Sequence, residues 1–180
     1  MILLFGPAGS GKTSQAEKLV EKYGWNTVLM GAILREVDDP EVVEALKRGQ
    51  LVSDERVEGI MAEEIGRMSN QTLVDGFPRN QAQAEWMEWN DLYKDVDGAI
   101  ILDGDRAEIL GRLMQRERAD DDEEVIKGRL QLFDDTMGDI LPVLERAGVR
   151  VARVDCMGSI EEVTERVVAK LTEWGLAPTN

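Results

Sequence analysis

Residues 6–13 form a glycine-rich segment, Gly-Pro-Ala-Gly-Ser-Gly-Lys-Thr, that matches the phosphate-binding pattern G-x-x-x-x-G-K-[ST]. An apolar run at 2–5 precedes it and an amphipathic pattern at 12–23 follows it, which are the strand and the helix that the motif requires. Glycines let backbone N–H groups turn toward phosphate oxygens, and the helix N-terminus adds a favourable dipole. The segment therefore predicts that Lys12 contacts the β- and γ-phosphates of a nucleotide and that the Thr13 hydroxyl contacts Mg²⁺.

Two aspartates follow buried, strand-like runs, Asp75 after 72–74 and Asp103 after 99–102. Ligands of open α/β sheets collect at the carboxyl ends of the strands, so either aspartate could hold Mg²⁺ through water. The pattern alone does not choose between them. Asp75 is favoured because the segment 76–79, Gly-Phe-Pro-Arg, follows at once, and its stiff turn would present Arg79 beside the same site.

The elements that must position these groups alternate along the chain. Five apolar runs predict strands at 2–5, 27–30, 72–74, 99–102 and 149–154, with helical patterns between them. This alternation predicts an α/β fold with a parallel sheet wrapped by helices. The stretch 32–68 holds only helical patterns, broken at 38–40 and at Gly49, which is more than one crossover helix needs. It predicts a helical flap over a site, and a second, short insertion is expected at about 116–122.

The composition limits the possible functions. A chain of 180 residues with a net charge of −15 forms one globular domain and is a poor match for a nucleic-acid partner, which requires a basic surface. One cysteine and no histidine exclude an internal disulfide, a Cys-based zinc site and a Ser-His-Asp triad. No apolar run reaches the roughly 20 residues of a membrane span, and no signal peptide precedes the first strand. We expect a soluble, cytoplasmic protein without membrane partners.

Five segments together resemble the nucleoside monophosphate kinases, and most of all the adenylate kinases. Residues 75–79, Asp-Gly-Phe-Pro-Arg, match the family signature D-G-[FY]-P-R, and the phosphate-binding segment extended to Ala16 matches its first motif. Residues 31–35 resemble G-D-x-L-R and residues 49–54 resemble G-x-x-V-[PST]-D. The arginines of the fifth segment, which resembles the family's lid, are Arg112, Arg116, Arg118 and Arg129. The segments occur in the family's order over nearly the whole chain.

The resemblance implies a three-layer α/β/α P-loop kinase with a five-stranded parallel sheet in one domain, residues 1–180. The core would comprise residues 1–29, 69–115 and 124–180, with a flap for the acceptor nucleotide at about 30–68 and a short lid at about 116–123. The implied reaction is the Mg²⁺-dependent, reversible transfer of the γ-phosphoryl group of ATP to AMP, giving two ADP. The implied partners are ATP, AMP and ADP, and the implied state is a monomer.

The resemblance also assigns residues to roles. Lys12 and the loop amides would hold the donor, Arg35 and Arg79 the acceptor phosphate, and Gln83 the adenine edge. The ATP-binding set is Gly6, Ala8, Gly9, Ser10, Gly11, Lys12, Thr13, Ser14, Arg112 and Gly158. The AMP-binding set is Gly31, Arg35, Val52, Gly76, Arg79, Gln83, Arg118 and Arg129. The catalytic set is Lys12, Arg79, Arg116, Arg118 and Arg129, and the metal set is Thr13 and Asp75.

Two alternatives stay open on the sequence. Asn80 after Arg79 is more typical of UMP/CMP kinases, and only Glu117 separates Arg116 from Arg118 in a very short lid. A nucleotide-operated switch without kinase turnover is the second alternative. Against the switch, the sequence contains no N-K-x-D motif for guanine, and a switch needs no second phosphate site at Arg35 and Arg79.

Overall fold

A computed structural model describes residues 1–68, 71–114 and 123–176. These ranges contain one sheet of five parallel strands in the order β2-β3-β1-β4-β5. The strands are β1 (Ile2–Phe5), β2 (Asn26–Leu29), β3 (Thr72–Asp75), β4 (Gly98–Asp103) and β5 (Val151–Asp155). The predicted α/β class and the predicted parallel sheet are confirmed.

The helices are α1 (Lys12–Tyr23), α2 (Met30–Glu36), α3 (Pro40–Lys47), α4 (Asp54–Arg67), α5 (Gln81–Trp89), α6 (Arg106–Met114), α7 (Glu123–Arg146) and α8 (Ile160–Glu173), with a 3-10 turn at Leu92–Asp95. In the described ranges, no helix combines the length and the apolar character that crossing a membrane requires.

The sheet separates two apolar cores, as three layers require. Side chains of β1 alternate between them. Leu3 and Phe5 pack with α4, α5 and the second half of α7, whereas Ile2 and Leu4 pack with α1, α6 and α8. A parallel sheet is stable only when helices cover both faces, and all four residues of β1 are buried accordingly.

Helices α2, α3 and α4 form the flap, residues 30–68. The sequence predicts only helical patterns at 32–68, but it extends the second strand to Met30, which is the first residue of α2. The predicted breaks have local causes. The Asp39 side chain caps α3 by accepting a hydrogen bond of 2.9 Å from Glu41 N, and Pro40 is the first residue of the helix. Gly49 follows α3 with a φ of +69°, a conformation that a residue with a Cβ rarely adopts.

The register of the sheet brings the carboxyl ends of the central strands to one edge. Leu4 of β1 lies beside Asp75 of β3, and Phe5 lies beside Ile101 of β4. The phosphate-binding segment leaves β1 at this edge, so Asp75 and the glycine-rich loop are neighbours. The flap follows β2 at the same edge, and residues of the flap and of the loop line one cavity.

Gly98 at the start of β4 provides a test of the packing. A Cβ added there would lie 2.5 Å from the Trp174 ring. We expect Gly98→Ala to lower the free energy of unfolding by about 1–3 kcal/mol, the usual cost of overpacking. Urea denaturation measures the change.

Gly138→Ala in α7 is the matched control, because nothing lies within 4 Å of a Cβ added there. Alanine is favoured over glycine inside a helix by about 0.8–1.0 kcal/mol, so this variant should be somewhat more stable than the parent. Equal effects of the two substitutions would contradict the packing of Gly98 against Trp174.

Candidate active site

A cavity of about 560 Å³, the large cavity, lies at the carboxyl edge of the sheet. Its walls come from the phosphate loop, the flap, the 75–79 segment and α7. Cavities of this size suit small-molecule ligands. Predicted site residues in its wall are Gly6, Ala8, Gly9, Gly11, Lys12, Thr13, Ser14, Gly31, Arg35, Asp75, Gly76, Arg79, Arg112 and Arg129.

Of the predicted residues that the structure describes, Ser10 and Gly158 line neither this cavity nor the small cavity introduced below. Ser10 is buried, and its backbone N donates to Pro7 O at 3.2 Å within the loop. Arg116 and Arg118 lie outside the described residues. The other predicted residues come together around the two cavities.

The phosphate loop holds Lys12 over its own backbone. The Lys12 ammonium donates to the carbonyl oxygens of Gly6 at 2.7 Å and of Pro7 at 3.0 Å. Gly11 precedes α1 with a φ of +88°, and no side chain caps the helix. The first N–H groups of α1 therefore remain available to an anion at the helix N-terminus.

Three guanidinium groups meet in the large cavity. Removal from bulk water lowers the pKa of Arg79, and the positive charges of Arg129 and Arg35 lower it further, while Asp75 opposes the shift. The Arg79 side chain still reaches solvent because the cleft is open. Such a cluster favours a ligand with several negative charges, and guanidinium groups suit phosphate oxygens.

Arg129 connects α7 to the flap. Its Nη2 donates to Leu46 O, at the end of α3, at 3.0 Å. A Cβ on Gly49 would lie 2.8 Å from Val125 Cγ1 and 3.2 Å from Arg129 Nε. The close approach of the flap to α7 therefore depends on glycine at position 49.

Arg112 connects α6 to the 156–159 loop, which follows β5. Its guanidinium donates to Cys156 O at 2.9 Å and to Gly158 O at 3.3 Å. Gln15 of α1 adds a second connection, since its Nε2 donates to Ile160 O at 3.1 Å. Sequence reasoning gave Gln15 no role, because no spacing rule relates it to a residue 145 positions away.

A second, small cavity of about 20 Å³ lies between the flap and α5. Its wall includes Gly31, Val52, Gly76, Arg79 and Gln83, which are all predicted acceptor residues. Gln83 is 1% exposed, and its carboxamide bonds to protein on both sides. Its Nε2 donates to Asp54 Oδ1 at 2.8 Å, and its Oε1 accepts from Arg79 N at 2.7 Å.

Asn80 serves a different purpose from Gln83. Its Oδ1 caps α5 by accepting from Gln83 N at 2.8 Å, and its Nδ2 donates to Asp54 Oδ1 at 2.7 Å. Asn80 lines neither cavity. The structure thus gives an asparagine at this position a helix-capping function away from the cavity walls.

The two candidate metal aspartates have different surroundings. Asp103 accepts from Arg106 at 2.8 Å, from Arg153 at 3.0 Å and from Gly104 N at 2.9 Å. Burial alone would raise the pKa of Asp103, but these hydrogen bonds and charges outweigh it and lower the pKa. Asp75 lines the large cavity together with Thr13. A hydroxyl and a carboxylate beside bound phosphates form the sparse protein ligand set that Mg²⁺ accepts.

Comparisons with known proteins identify relatives of the chain. A family model described as an AAA domain matches residues 5–127. The adenylate kinase of Synechococcus sp. (strain WH7803) is 35% identical over 179 residues, 94% of this chain and 97% of that protein. That of Synechococcus sp. (strain RCC307) is 36% identical over 178 residues, with the same coverage. That of Kocuria rhizophila is 34% identical over 184 residues, again covering 94% and 97%.

The parallel sheet, the phosphate loop and the arginine-lined cleft define a P-loop nucleotide kinase. The chain belongs to the adenylate kinase family. The family and the enzyme class predicted from the sequence are confirmed.

Asp75 and Asp103 can be distinguished by matched substitutions. We expect Asp75→Asn to lower activity at limiting Mg²⁺ by about 10–100-fold, the usual effect of losing an outer-sphere metal partner. Asp103→Asn should leave the Mg²⁺ dependence unchanged, because Asp103 pairs with Arg106 and Arg153 instead. Initial rates over a Mg²⁺ titration measure both effects, and equal Mg²⁺ responses would contradict the assignment.

Proposed function

We propose that this protein catalyses the reversible transfer of the γ-phosphoryl group of Mg·ATP to AMP, giving two ADP. One observation carries the proposal: Lys12 of the phosphate loop and the pair Arg35 and Arg79 line the same cavity. A donor triphosphate and an acceptor monophosphate would thus have separate cationic partners in one cleft. A nucleotide-operated switch needs only the first of these.

The chemistry requires no covalent nucleophile. A phosphoryl group in transfer passes through a loose transition state, so the protein supplies position and positive charge. Lys12 would hold the β- and γ-phosphates of the donor, and Arg35 and Arg79 would hold the phosphate of the acceptor. Arg129, together with Arg116 and Arg118 from the lid, would place positive charge around the phosphoryl group in transfer. Thr13 and Asp75 would hold Mg²⁺, the latter through water. When bound, Mg²⁺ would neutralise charge on the phosphates of ATP.

The donor base would lie between Arg112 and the 156–159 loop. The Arg112 guanidinium already contacts Cys156 O and Gly158 O, so its planar group is held in one orientation. A guanidinium plane is a suitable surface for an aromatic base to stack on. The carbonyl contacts support Arg112 as the donor-base partner and Gly158 as part of the loop against it.

As the site of the acceptor base, the small cavity would favour AMP over CMP and UMP. Gln83 lines the small cavity, and a side-chain carboxamide suits the amino group and ring nitrogen of adenine. Asn80, which suggests a pyrimidine acceptor, lines neither cavity and caps α5. We further propose a cytoplasmic monomer without nucleic-acid or membrane partners, in keeping with a net charge of −15 and a single, buried cysteine.

A panel of acceptors tests the function. With Mg·ATP and AMP, CMP, UMP or GMP, we expect the highest kcat/KM for AMP, measured by coupled assay. Lys12→Ala should abolish turnover while circular dichroism stays unchanged. A higher kcat/KM for CMP or UMP would show the pyrimidine alternative, and one slow turnover of ATP without any acceptor product would show a switch.

Two substitutions, tested with the same acceptors, distinguish the role of the Gln83 carboxamide from that of the Asn80 carboxamide. Gln83→Ala should lower kcat/KM for AMP by about tenfold or more, since a good bidentate base contact contributes about 1–3 kcal/mol. Asn80→Ser keeps an effective helix cap and should leave AMP the preferred acceptor. A change of preference in Asn80→Ser alone would assign the acceptor base to Asn80.

The lid arginines have their own test. Arg116→Ala and Arg118→Ala should each lower kcat by about 10²–10³, the effect of losing one preorganised charge contact in the transition state. Arg48→Ala is the matched control, because Arg48 is a flap arginine paired with Glu44 and 64% exposed. Lid variants that behave like Arg48→Ala would show that Arg116 and Arg118 only face solvent.

A further inference from the structure

The Gln83 carboxamide is held between two partners that each bond in one direction only. Asp54 Oδ1 receives a hydrogen bond from Gln83 Nε2 at 2.8 Å, and an ionised carboxylate can only accept. Arg79 N reaches Gln83 Oε1 at 2.7 Å, and a backbone N–H can only donate. Turning the carboxamide by 180° would place oxygen against oxygen and N–H against N–H. The hydrogen-bond partners therefore determine its orientation.

Asp54 connects the flap to the helix that carries Gln83. It is the first residue of α4, whereas Gln83 lies in α5. The same Oδ1 also accepts from Asn80 Nδ2 at 2.7 Å, and Asn80 Oδ1 accepts from Gln83 N at 2.8 Å. Asp54 thus holds the Gln83 carboxamide directly and also holds the residue that caps its helix.

The carboxamide keeps bonding capacity for a ligand. A primary amide has two N–H donors and an oxygen that can accept two hydrogen bonds, and the protein uses one of each. One donor and one acceptor position remain on Gln83, which lines the small cavity. A 6-aminopurine offers an amino donor beside a ring acceptor, while a 6-oxopurine offers a carbonyl acceptor beside a ring N–H. A freely turning carboxamide could pair with either base.

We infer that Asp54 is a positioning residue that fixes the Gln83 carboxamide and thereby makes the acceptor site select 6-amino over 6-oxo purine nucleotides. The inference rests on the proposed function, in which AMP is the acceptor. Asp54 lines neither cavity, so it acts through Gln83. A carboxylate is required because an amide or hydroxyl at position 54 both donates and accepts, so that only Arg79 N would still favour one orientation of the carboxamide.

The experiment compares AMP with inosine monophosphate, the 6-oxo analogue, as acceptors for Mg·ATP. In Asp54→Asn, the ratio of kcat/KM for AMP to that for inosine monophosphate should fall by roughly tenfold, while KM for ATP stays at the parent value. Asp54→Glu restores an acceptor-only carboxylate and should recover part of the lost ratio. A purely structural role would change both acceptors alike.

Glu55→Gln is the matched control. It removes the same charge from the same first turn of α4, and its exposed side chain is no part of the contacts to α5 described above. Its acceptor ratio should equal that of the parent. Circular dichroism checks the fold of each variant. If Asp54→Asn does not fold, Asp54→Ser removes the same carboxylate with a smaller side chain.

The two hypotheses fail in different ways. A parent protein that does not phosphorylate AMP overturns the proposed function. A parent that phosphorylates AMP, with the same acceptor ratio in Asp54→Asn and Glu55→Gln, overturns the role of Asp54 and leaves the proposed function intact.

Discussion

The partly desolvated positive charge in the large cavity is the constraint on which the rest of the site depends. Removal from bulk water is the largest cause that lowers the pKa of Arg79; the charges of Arg129 and Arg35 lower it further, and Asp75 opposes the shift. Such a cluster can persist because its members are carried by three separate elements, the flap, the 75–79 segment and α7, which apolar packing holds in place. A bound polyanion would favour the charged form of all three guanidinium groups. The positive charge is preorganised, because the fold holds the arginines in place before a ligand binds.

Polar contacts at two points then hold the flap near this charge. Arg129 donates to Leu46 O at the end of α3, and Asp54 at the start of α4 accepts from α5. Both contacts join the flap to elements that also line the cavities. An acceptor that binds between flap and core would replace the contact of Arg129 with Leu46 O by a contact to its phosphate, whereas Asp54 would keep its contact with Gln83 and so orient the base contact.

The sequence predicted the local parts of this arrangement well. The phosphate loop and α1 match residue for residue, because glycine spacing and helical periodicity act over a few positions. The start of β5 was predicted two residues early. Val149 is apolar and buried, but its N–H donates a hydrogen bond to Leu144 O at the end of α7, and so it lies outside the strand.

Asp75 and Asp103 could not be separated by sequence pattern, because the ion pair of Asp103 with Arg153 joins residues 50 positions apart. The contacts of Asp54 with Gln83 and of Gln15 with Ile160 also join residues that are far apart in the sequence, so no local pattern indicates them. Arg116 and Arg118 lie outside the described residues.

Arg79 takes part in two separate contacts, one through its backbone and one through its side chain. Its backbone N–H donates to the oxygen of the Gln83 carboxamide, while its guanidinium lies with Arg35 and Arg129 in the large cavity. If the protein acts as proposed, a shift of the 75–79 segment would move the acceptor-base contact and the acceptor-phosphate contact together. A wrong base that displaces Gln83 would disturb Arg79 as well, and misplacing a reacting phosphate by about 1 Å can cost on the order of 10² in rate. Selection of the acceptor would then appear in kcat as well as in KM, because base recognition and phosphate position share one residue.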